Sequence, residues 1–316
     1  MLKILKFVSG AVSKKDLVPY MAHFSIADGR ITAYNGMIAL SSPIPIDIDC
    51  KPKGDVLVKA ITNCSETIAL TLTDTGRLKV QSGKFKAFVE CLNEPTPDII
   101  PEGISTELSG KTLVKALGKV YDFIGDDASR PWANGVLLAN GSCYATNNVC
   151  IIEHWLGFKP DTPINIPKMA IREILRIQDI PESVQIAERS ITIHYESGRW
   201  IKSQLLDTKW PDIQKILNVE SNPKPIDTEI FDALEVLKPF TDKMRTIHIL
   251  PGILSTSSDL ETGSNYAIES VDFEGLYNSD MMKLLKPVST LIDWNTTPVM
   301  FFGDELRGAM ISMRRR

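Results

Sequence analysis

The sequence has little of what catalysis, metal binding or redox chemistry usually requires. Its five cysteines (Cys50, Cys64, Cys91, Cys143 and Cys150) are odd in number, and no two are spaced Cys-x-x-Cys. That pattern points away from a zinc knuckle or disulfide framework and toward reduced, buried thiols. The four histidines, His23, His154, His194 and His248, lie far apart, so no metal site is expected. Phosphate-binding Gly-x-x-x-x-Gly-Lys-Ser/Thr, dinucleotide-binding Gly-x-Gly-x-x-Gly, His-Glu-x-x-His and Gly-x-Ser-x-Gly are all missing. Their absence removes the common nucleotide-dependent and hydrolytic classes, and no catalytic residue or cofactor is expected. The opening apolar residues 1–8 are interrupted by Lys3 and Lys6. They are too short and too charged for a signal peptide or membrane span, so the expected location is the cytoplasm, with no membrane partner. Nor is the chain basic. Thirty-five Lys and Arg stand against 39 Asp and Glu, a net charge of −4, which as a sum argues against non-specific binding to nucleic acid.

Two short strings imitate chemistry. Asp74-Thr75-Gly76 has the form of an aspartic protease loop, but it lies between two alternating apolar runs, as a hairpin turn does, and the second repeat carries Glu188-Arg189-Ser190 in its place. A hydrolase using Asp74 is the alternative from a different functional class. Gly125-Asp126-Asp127 resembles a metal-binding turn of polymerases, without a second acidic motif to complete it.

What is present is a long internal repeat, one that returns about three times along the chain. Leu5/Leu117, Val8/Val120, Pro19/Pro131, Ala27/Ala139, Gly29/Gly141, Ala33/Ala145 and Asn35/Asn147 are identical pairs, all at one constant separation. Ser82-Gly83 answers Ser197-Gly198, and Pro97-Asp98-Ile99 answers Pro211-Asp212-Ile213. The remaining length has room for a third, more divergent copy. Whole-domain repeats of this kind build a symmetric surface or enclosure. Domains are expected at residues 1–103, 104–222 and 223–316, joined by proline-stiffened linkers.

Each repeat reads as two half-units of one short helix and several alternating strands, an α+β fold. Helices are expected near residues 2–12, 58–64, 112–123, 168–178, 229–237 and 280–285, and Asp28-Gly29 reads as a tight hairpin turn. Lys111, Lys115 and Lys119 share one helix face, as do Lys168, Arg172 and Arg176; shorter versions are Lys3 with Lys6 and Lys283 with Lys286. A solvated face explains any one helix, but recurrence in four concentrates positive potential on one surface. Glu229, Asp232 and Glu235 make the first helix of the third repeat the exception. With no base-reading module in view, contact would be to phosphates and independent of sequence.

Three such repeats resemble the bacterial-type sliding clamp, the beta subunit of DNA polymerase III, in a compact phage version. The likeness runs over the whole chain and rests on Pro131 followed by Asn134-Gly135-Val136-Leu137, on Ala145-Thr146-Asn147, on Trp210-Pro211-Asp212 and on the ending Ile311-Ser312-Met313-Arg314. The resemblance implies three tandem clamp domains per chain, closed into a ring by head-to-tail homodimerisation around double-stranded DNA. It implies a non-enzymatic processivity factor that tethers the replicative DNA polymerase and is opened by a clamp-loader ATPase, in the host cytoplasm if phage-encoded. A clamp-like scaffold for repair or transcription proteins is the alternative.

By the same resemblance, Lys14, Lys15, Arg130 and Trp132 are candidate DNA-contacting loop residues; for Trp132 a surface-packed indole is the other reading. A partner-peptide cleft would comprise Thr146, Ile151, Pro211, Ile216, Ala309, Ile311 and Met313, with Arg130 and Arg314 on its rim. Ordinary core is the other reading for Ile151 and Ile216. Asn148-Val149-Cys150 stands where Gly-His-Arg is common, and Ser312 where proline is usual, which leaves the partner motif open. The subunit junction would set Ala87 and Val89 against Val236 and Leu237.

Overall fold

The computed structural model describes residues 1–14 and 18–314. The sequence repeat becomes an alternation of front and back half-units. The first front half has helix α1 (Leu2–Val8) and strands β1 (Ser25–Ala27), β2 (Arg30–Tyr34) and β3 (Ile38–Pro43). Its back half has α2 (Gly54–Thr62), β4 (Ala69–Leu72), β5 (Leu78–Ser82) and β6 (Phe85–Val89). Linker strand β7 (Ile104–Thr106) leads to the second front half, α3 (Gly110–Val120) with β8 (Gly135–Ala139), β9 (Ser142–Thr146) and β10 (Cys150–Trp155). Strand β11 (Ile164–Pro167) then enters the second back half, α4 (Lys168–Ile177) with β12 (Ser183–Ile186), β13 (Ser190–Tyr195) and β14 (Arg199–Gln204). One helical turn, α5 (Gln214–Leu217), and linker strand β15 (Lys224–Pro225) precede the third copy. That copy has α6 (Glu229–Leu237), β16 (Thr246–Leu250), β17 (Ile253–Ser255), β18 (Asn265–Ala267) and β19 (Gly275–Asn278), then α7 (Ser279–Lys283), β20 (Leu291–Asp293), β21 (Val299–Gly303) and β22 (Leu306–Met310).

The expected helices are all present, with shifted ends. Helix α2 opens at Gly54 rather than residue 58, because Gly54 is buried against Val12 and Asp55 pairs with Lys59 one turn on, at 3.1 Å. Strand β22 ends at Met310, where the ladders with both neighbouring strands stop, Val299↔Met310 with β21 and Cys150↔Met310 with β10. The strands β18 to β20 and helix α5 carry too few alternating residues to be read from sequence.

The repeat has a local cause. Asn35 Oδ1 accepts the N–H groups of Met37 and Ile38 (3.1 and 3.0 Å), and Asn147 Oδ1 accepts those of Val149 and Cys150 (3.1 and 2.8 Å). Each asparagine therefore builds the same turn between two strands. Each also donates Nδ2–H to a methionine sulfur on a back-half helix, Asn35 to Met169 (3.5 Å) and Asn147 to Met281 (3.2 Å). The two methionines are separated by the same interval as the two asparagines. The hairpins Asp28-Gly29 (φ 51° and 68°) and Asn140-Gly141 (φ 52° and 84°) use left-handed backbone twice in a row, which Asp, Asn and Gly tolerate best.

Two compact units divide the chain: Met1–Lys115 with Ile166–Asp207, and Ala116–Asn165 with Thr208–Arg316, the boundaries falling inside α3 and β11. The first unit contains a seven-stranded sheet, order β1-β2-β3-β14-β13-β12-β7, and a three-stranded sheet, β4-β5-β6. The second contains an eight-stranded sheet, order β11-β8-β9-β10-β22-β21-β20-β15, and a four-stranded sheet, β18-β17-β16-β19. Both long sheets follow one rule. The third strand of a front half pairs antiparallel with the last strand of the next repeat's back half: β3 with β14 (Leu40↔Ile201) and β10 with β22 (Ile152↔Gly308). Among the described residues, β18 pairs only with β17 and β6 only with β5, so the two short sheets each end on an open edge.

Candidate functional site

The basic helix faces divide into two groups. On α1, Lys3 and Lys6 point to solvent, opposite buried Leu5 and Val8; on α3, Lys111 and Lys115 are exposed, opposite Leu113, Ala116 and Leu117. Lys14 and Arg130 are accessible, and Lys15 lies outside the described residues. Lys168 is half-buried at the start of α4, whereas Arg172, one turn on, is exposed beside the Glu173 carboxylate (3.7 Å).

The second group reaches other elements of the chain. Arg176 pairs with Glu173 at 2.5 Å and donates to the carbonyls of Lys6 (3.4 Å) and Phe7 (3.0 Å), where it caps the C-terminal end of α1. Gly10 makes room for this arrangement, because a Cβ there would stand 2.0 Å from Glu173 Oε2. Lys119 donates to the Pro287 carbonyl (3.2 Å). Lys283 pairs with Glu235 (3.0 Å) and Lys286 with Asp232 (3.1 Å). The acidic face of α6 is thus the counter-charge of α7. Trp132 packs edge-on against Trp210, ring centres 5.1 Å apart, and its carbonyl accepts Asn165 Nδ2–H at 2.9 Å.

The residues assigned to a peptide cleft all fall in the second unit, and they separate into floor and surface. Ile151 and Ala309 face each other across β10 and β22 and belong to a buried cluster with Leu137, Tyr144, Ile213 and Leu217. Thr146 is buried too; its hydroxyl donates to the Cys150 carbonyl (2.7 Å) and accepts the Asn148 N–H (3.1 Å). The accessible apolar groups are Pro211, Ile216 on α5 (41% exposed) and Ile311 (51% exposed). Beyond β22 the chain stays extended and ties two sheets together, Ile311 N–H donating to Val149 O (3.0 Å) and Met313 N–H to Leu276 O (2.7 Å). Arg314 is exposed.

Half-buried Met313 opens onto a cavity of about 510 Å³ lined also by Tyr277, Thr296, Pro298 and Ser312. An aromatic group closes one side of it, with Phe273 stacked on Trp294 (4.3 Å) and Tyr277 edge-on to Trp294 (5.7 Å). Sequence reasoning missed this cavity, because its aromatic wall, Phe273, Tyr277 and Trp294, comes from separate segments of the most divergent repeat.

Beneath the surface lies a polar row across three strands. Tyr144 is opposite Glu153, and Glu153 is opposite Arg307. Burial opposes the charge on Glu153, but bonds from Arg307 (2.6 Å), Tyr144 (2.8 Å) and Ser142 together outweigh it and hold its pKa below the ordinary 4.5. Burial, with the neighbouring Glu153, pushes the Tyr144 hydroxyl up to about 12. A depressed folded-state pKa means that ionised Glu153 adds stability above its unfolded pKa, and that this is lost as pH falls through the folded value. In urea unfolding, the wild-type advantage over Glu153→Gln should therefore be full near neutrality and vanish in acid; a gap that is constant with pH would contradict the ion pair.

Of the residues placed at a subunit junction, Val89 (0% exposed) and Leu237 (2%) are buried within the chain itself. Alternation on β6 and the helical turn of α6 direct these two inward, so they are not available to a partner. The accessible apolar groups beside them are Phe88 (47%) and Val236 (54%), with Ala87 half-buried. Asp74 sits exposed in the β4–β5 hairpin, closed by a Gly76 N–H to Thr73 O bond of 2.9 Å. Among the described residues no three His, Cys, Asp or Glu side chains converge as metal ligands, and no helix is long and apolar enough to cross a membrane.

Comparison with protein-family models finds no match, and comparison with curated protein sequences finds none either. Solved structures do match. The DNA polymerase sliding clamp from Bacillus subtilis superposes with a TM-score of 0.84 at 16% identity, over 100% of this chain and 97% of that one. The beta subunit from DNA polymerase of Streptococcus pyogenes gives 0.84 at 16% identity, over 99% and 97%. The Helicobacter pylori beta clamp bound to a DNA ligase peptide gives 0.79 at 17% identity, over 99% and 97%. From one end to the other, this chain has the fold of the bacterial DNA polymerase III beta sliding clamps.

Proposed function

We propose that the chain is a non-enzymatic processivity factor: a ring that encircles double-stranded DNA without reading its sequence and tethers a replicative DNA polymerase. The observation that carries this reading is the pairing rule of the sheets. Twice, a front half-unit is completed by the back half of the following repeat; the third front half and the first back half have no such partner among the described residues. An open strand edge is a template for another chain. Edge β18 of one copy and edge β6 of the next supply the missing pairing, head to tail, and two copies each of three domains (residues 1–103, 104–222 and 223–316) close the ring.

In this reading Lys3, Lys6, Lys14, Lys111, Lys115, Arg130, Lys168 and Arg172 hold the duplex by its phosphates. Lys119, Trp132, Arg176, Lys283 and Lys286 serve it less, since the contacts given above turn each toward another element of the chain. A closed ring needs opening to pass onto circular DNA. The chain has no nucleotide-binding motif, so a clamp-loader ATPase does this work, in the cytoplasm of the cell that replicates the DNA. The exposed Pro211, Ile216 and Ile311 with the adjoining cavity form the docking surface for short partner peptides, as a DNA ligase peptide docks on the Helicobacter pylori clamp. That peptide is a suitable probe.

The test is topological. Loaded on nicked circular DNA and washed in moderate salt, the protein should remain bound and should leave when the circle is linearised. Equal retention on both forms would overturn the ring.

A further inference from the structure

Helix α5 is a single turn, too short to be stable by itself, yet it carries Ile216, and Pro211 stands just before it, with Asp212 and the N-cap Ile213 between. Ile213 and Leu217 anchor one side of it in the buried cluster. Its other attachment is the guanidinium of Arg307. Nε donates to Glu153 Oε2 (2.6 Å), one terminal nitrogen donates to the Leu217 carbonyl (3.2 Å) and to Asn218 Oδ1 (3.1 Å), and the other to Gln214 Oε1 (3.4 Å). Gln214 Nε2–H in turn donates to Tyr144 Oη (3.2 Å), whose own proton goes to Glu153 Oε1 (2.8 Å). The loop closes on itself. A charge-paired arginine thus reaches from the sheet to both ends of α5 and satisfies a carbonyl that the end of a helix leaves open.

We propose that Arg307, Glu153, Tyr144 and Gln214 are positioning residues of the docking surface: they fix α5, and through it Pro211 and Ile216, in the place a partner peptide requires. The inference rests on the peptide-docking reading above. The work of the network is preorganisation. Without it, α5 keeps its two apolar anchors but must be ordered when the peptide binds, and that ordering is subtracted from affinity. A lysine at 307 would keep the charge and reach Glu153, but it has one nitrogen where three are in use.

The experiment uses the full chain, with the DNA ligase peptide as probe and amide hydrogen exchange as a second, peptide-free readout. Arg307→Met and Glu153→Gln should each weaken peptide binding about tenfold and speed exchange of the Ile216, Leu217 and Asn218 amides by a similar factor, with oligomer size unchanged. Arg307→Lys should restore thermal stability toward wild type while leaving the affinity defect, which a purely structural role would not do. The double variant should be no weaker than the worse single one, since both break one network. Should Arg307→Met fail to fold, Gln214→Ala, which removes no charge, should reproduce both effects in smaller measure. Faster exchange with unaltered affinity would overturn the positioning role, and so would unaltered exchange. A wild-type protein that ignores the peptide would instead overturn the docking reading, while exchange at α5 would still show whether the network holds the helix.

Discussion

Phe88→Asp should turn a stable assembly into single chains and abolish retention on circular DNA. Phe88 stands on the open edge strand β6 with its ring exposed and Lys86 Nζ 5.1 Å above it, and β6 has a partner only on its β5 side among the described residues. If that edge completes a sheet with a second copy, the substitution buries an unpaired carboxylate at the seam. Such a charge costs about 3 kcal/mol or more, roughly 150-fold in association at each junction. Val236→Asp, on the opposite member of the junction, should act in the same direction. Neither should unfold the subunit, because both side chains are about half exposed within it. Sedimentation at micromolar concentration measures the result; wild-type mass in both variants would mean that the chains meet elsewhere. Aspartate at Val89 or Leu237 is the wrong experiment, since both are core residues and the variant would lose its fold before its partner.

Ile216→Asp combined with Ile311→Asp should abolish binding of the probe peptide and polymerase stimulation, and should leave oligomer size and DNA retention as they are. Both side chains are exposed on elements that meet over the buried cluster, so the change removes apolar contact from the surface without opening the core. The contrasting variant is Ile151→Ala. Ile151 is buried between Thr146 and Ala309 in the strand ladder, and truncating it should cost about 2–5 kcal/mol of stability. Calorimetry with peptide titration separates the two classes. If the surface variant melts early while Ile151→Ala does not, floor and wall have been exchanged; if the surface variant still binds, the peptide docks elsewhere.

Of the residues these experiments change on the surface, the sequence named Ile216, Ile311 and Val236 but not Phe88. Where the determinants are local, it located them fully. Identities at a constant separation identified the turns that repeat, and Asn35 and Asn147 fold identically because a side-chain turn is decided by residues a few places away. The apolar spacing located the main helices for the same reason. The third copy was readable only in part. Strands β18 to β20 are short, and their place is set by pairing with other strands, which no local pattern records. The cavity beside Met313 was hidden because its aromatic wall comes from separate segments of that copy.

Candidate site residues divide along the same line. Sequence placed the proposed docking surface and junction on particular elements but could not choose among neighbours on them. Whether Val89 or Phe88 faces outward depends on which side of β6 the rest of the chain covers, and whether Ile151 is floor or wall depends on β22, a strand from the next repeat. Charge was misleading for a similar reason. Lys283 and Lys286 read as a free basic stripe, yet their partners Glu235 and Asp232 sit on α6, one helix earlier in the repeat. By itself the sequence determined that the protein is built from repeated α+β units and that the common nucleotide-binding and hydrolase motifs are missing, because composition, motif spacing and turn chemistry are local properties. Only the tertiary structure decided which cations pair with acidic side chains of other elements, which apolar residues face solvent and which strands lie at sheet edges, because each depends on what long-range pairing has already covered.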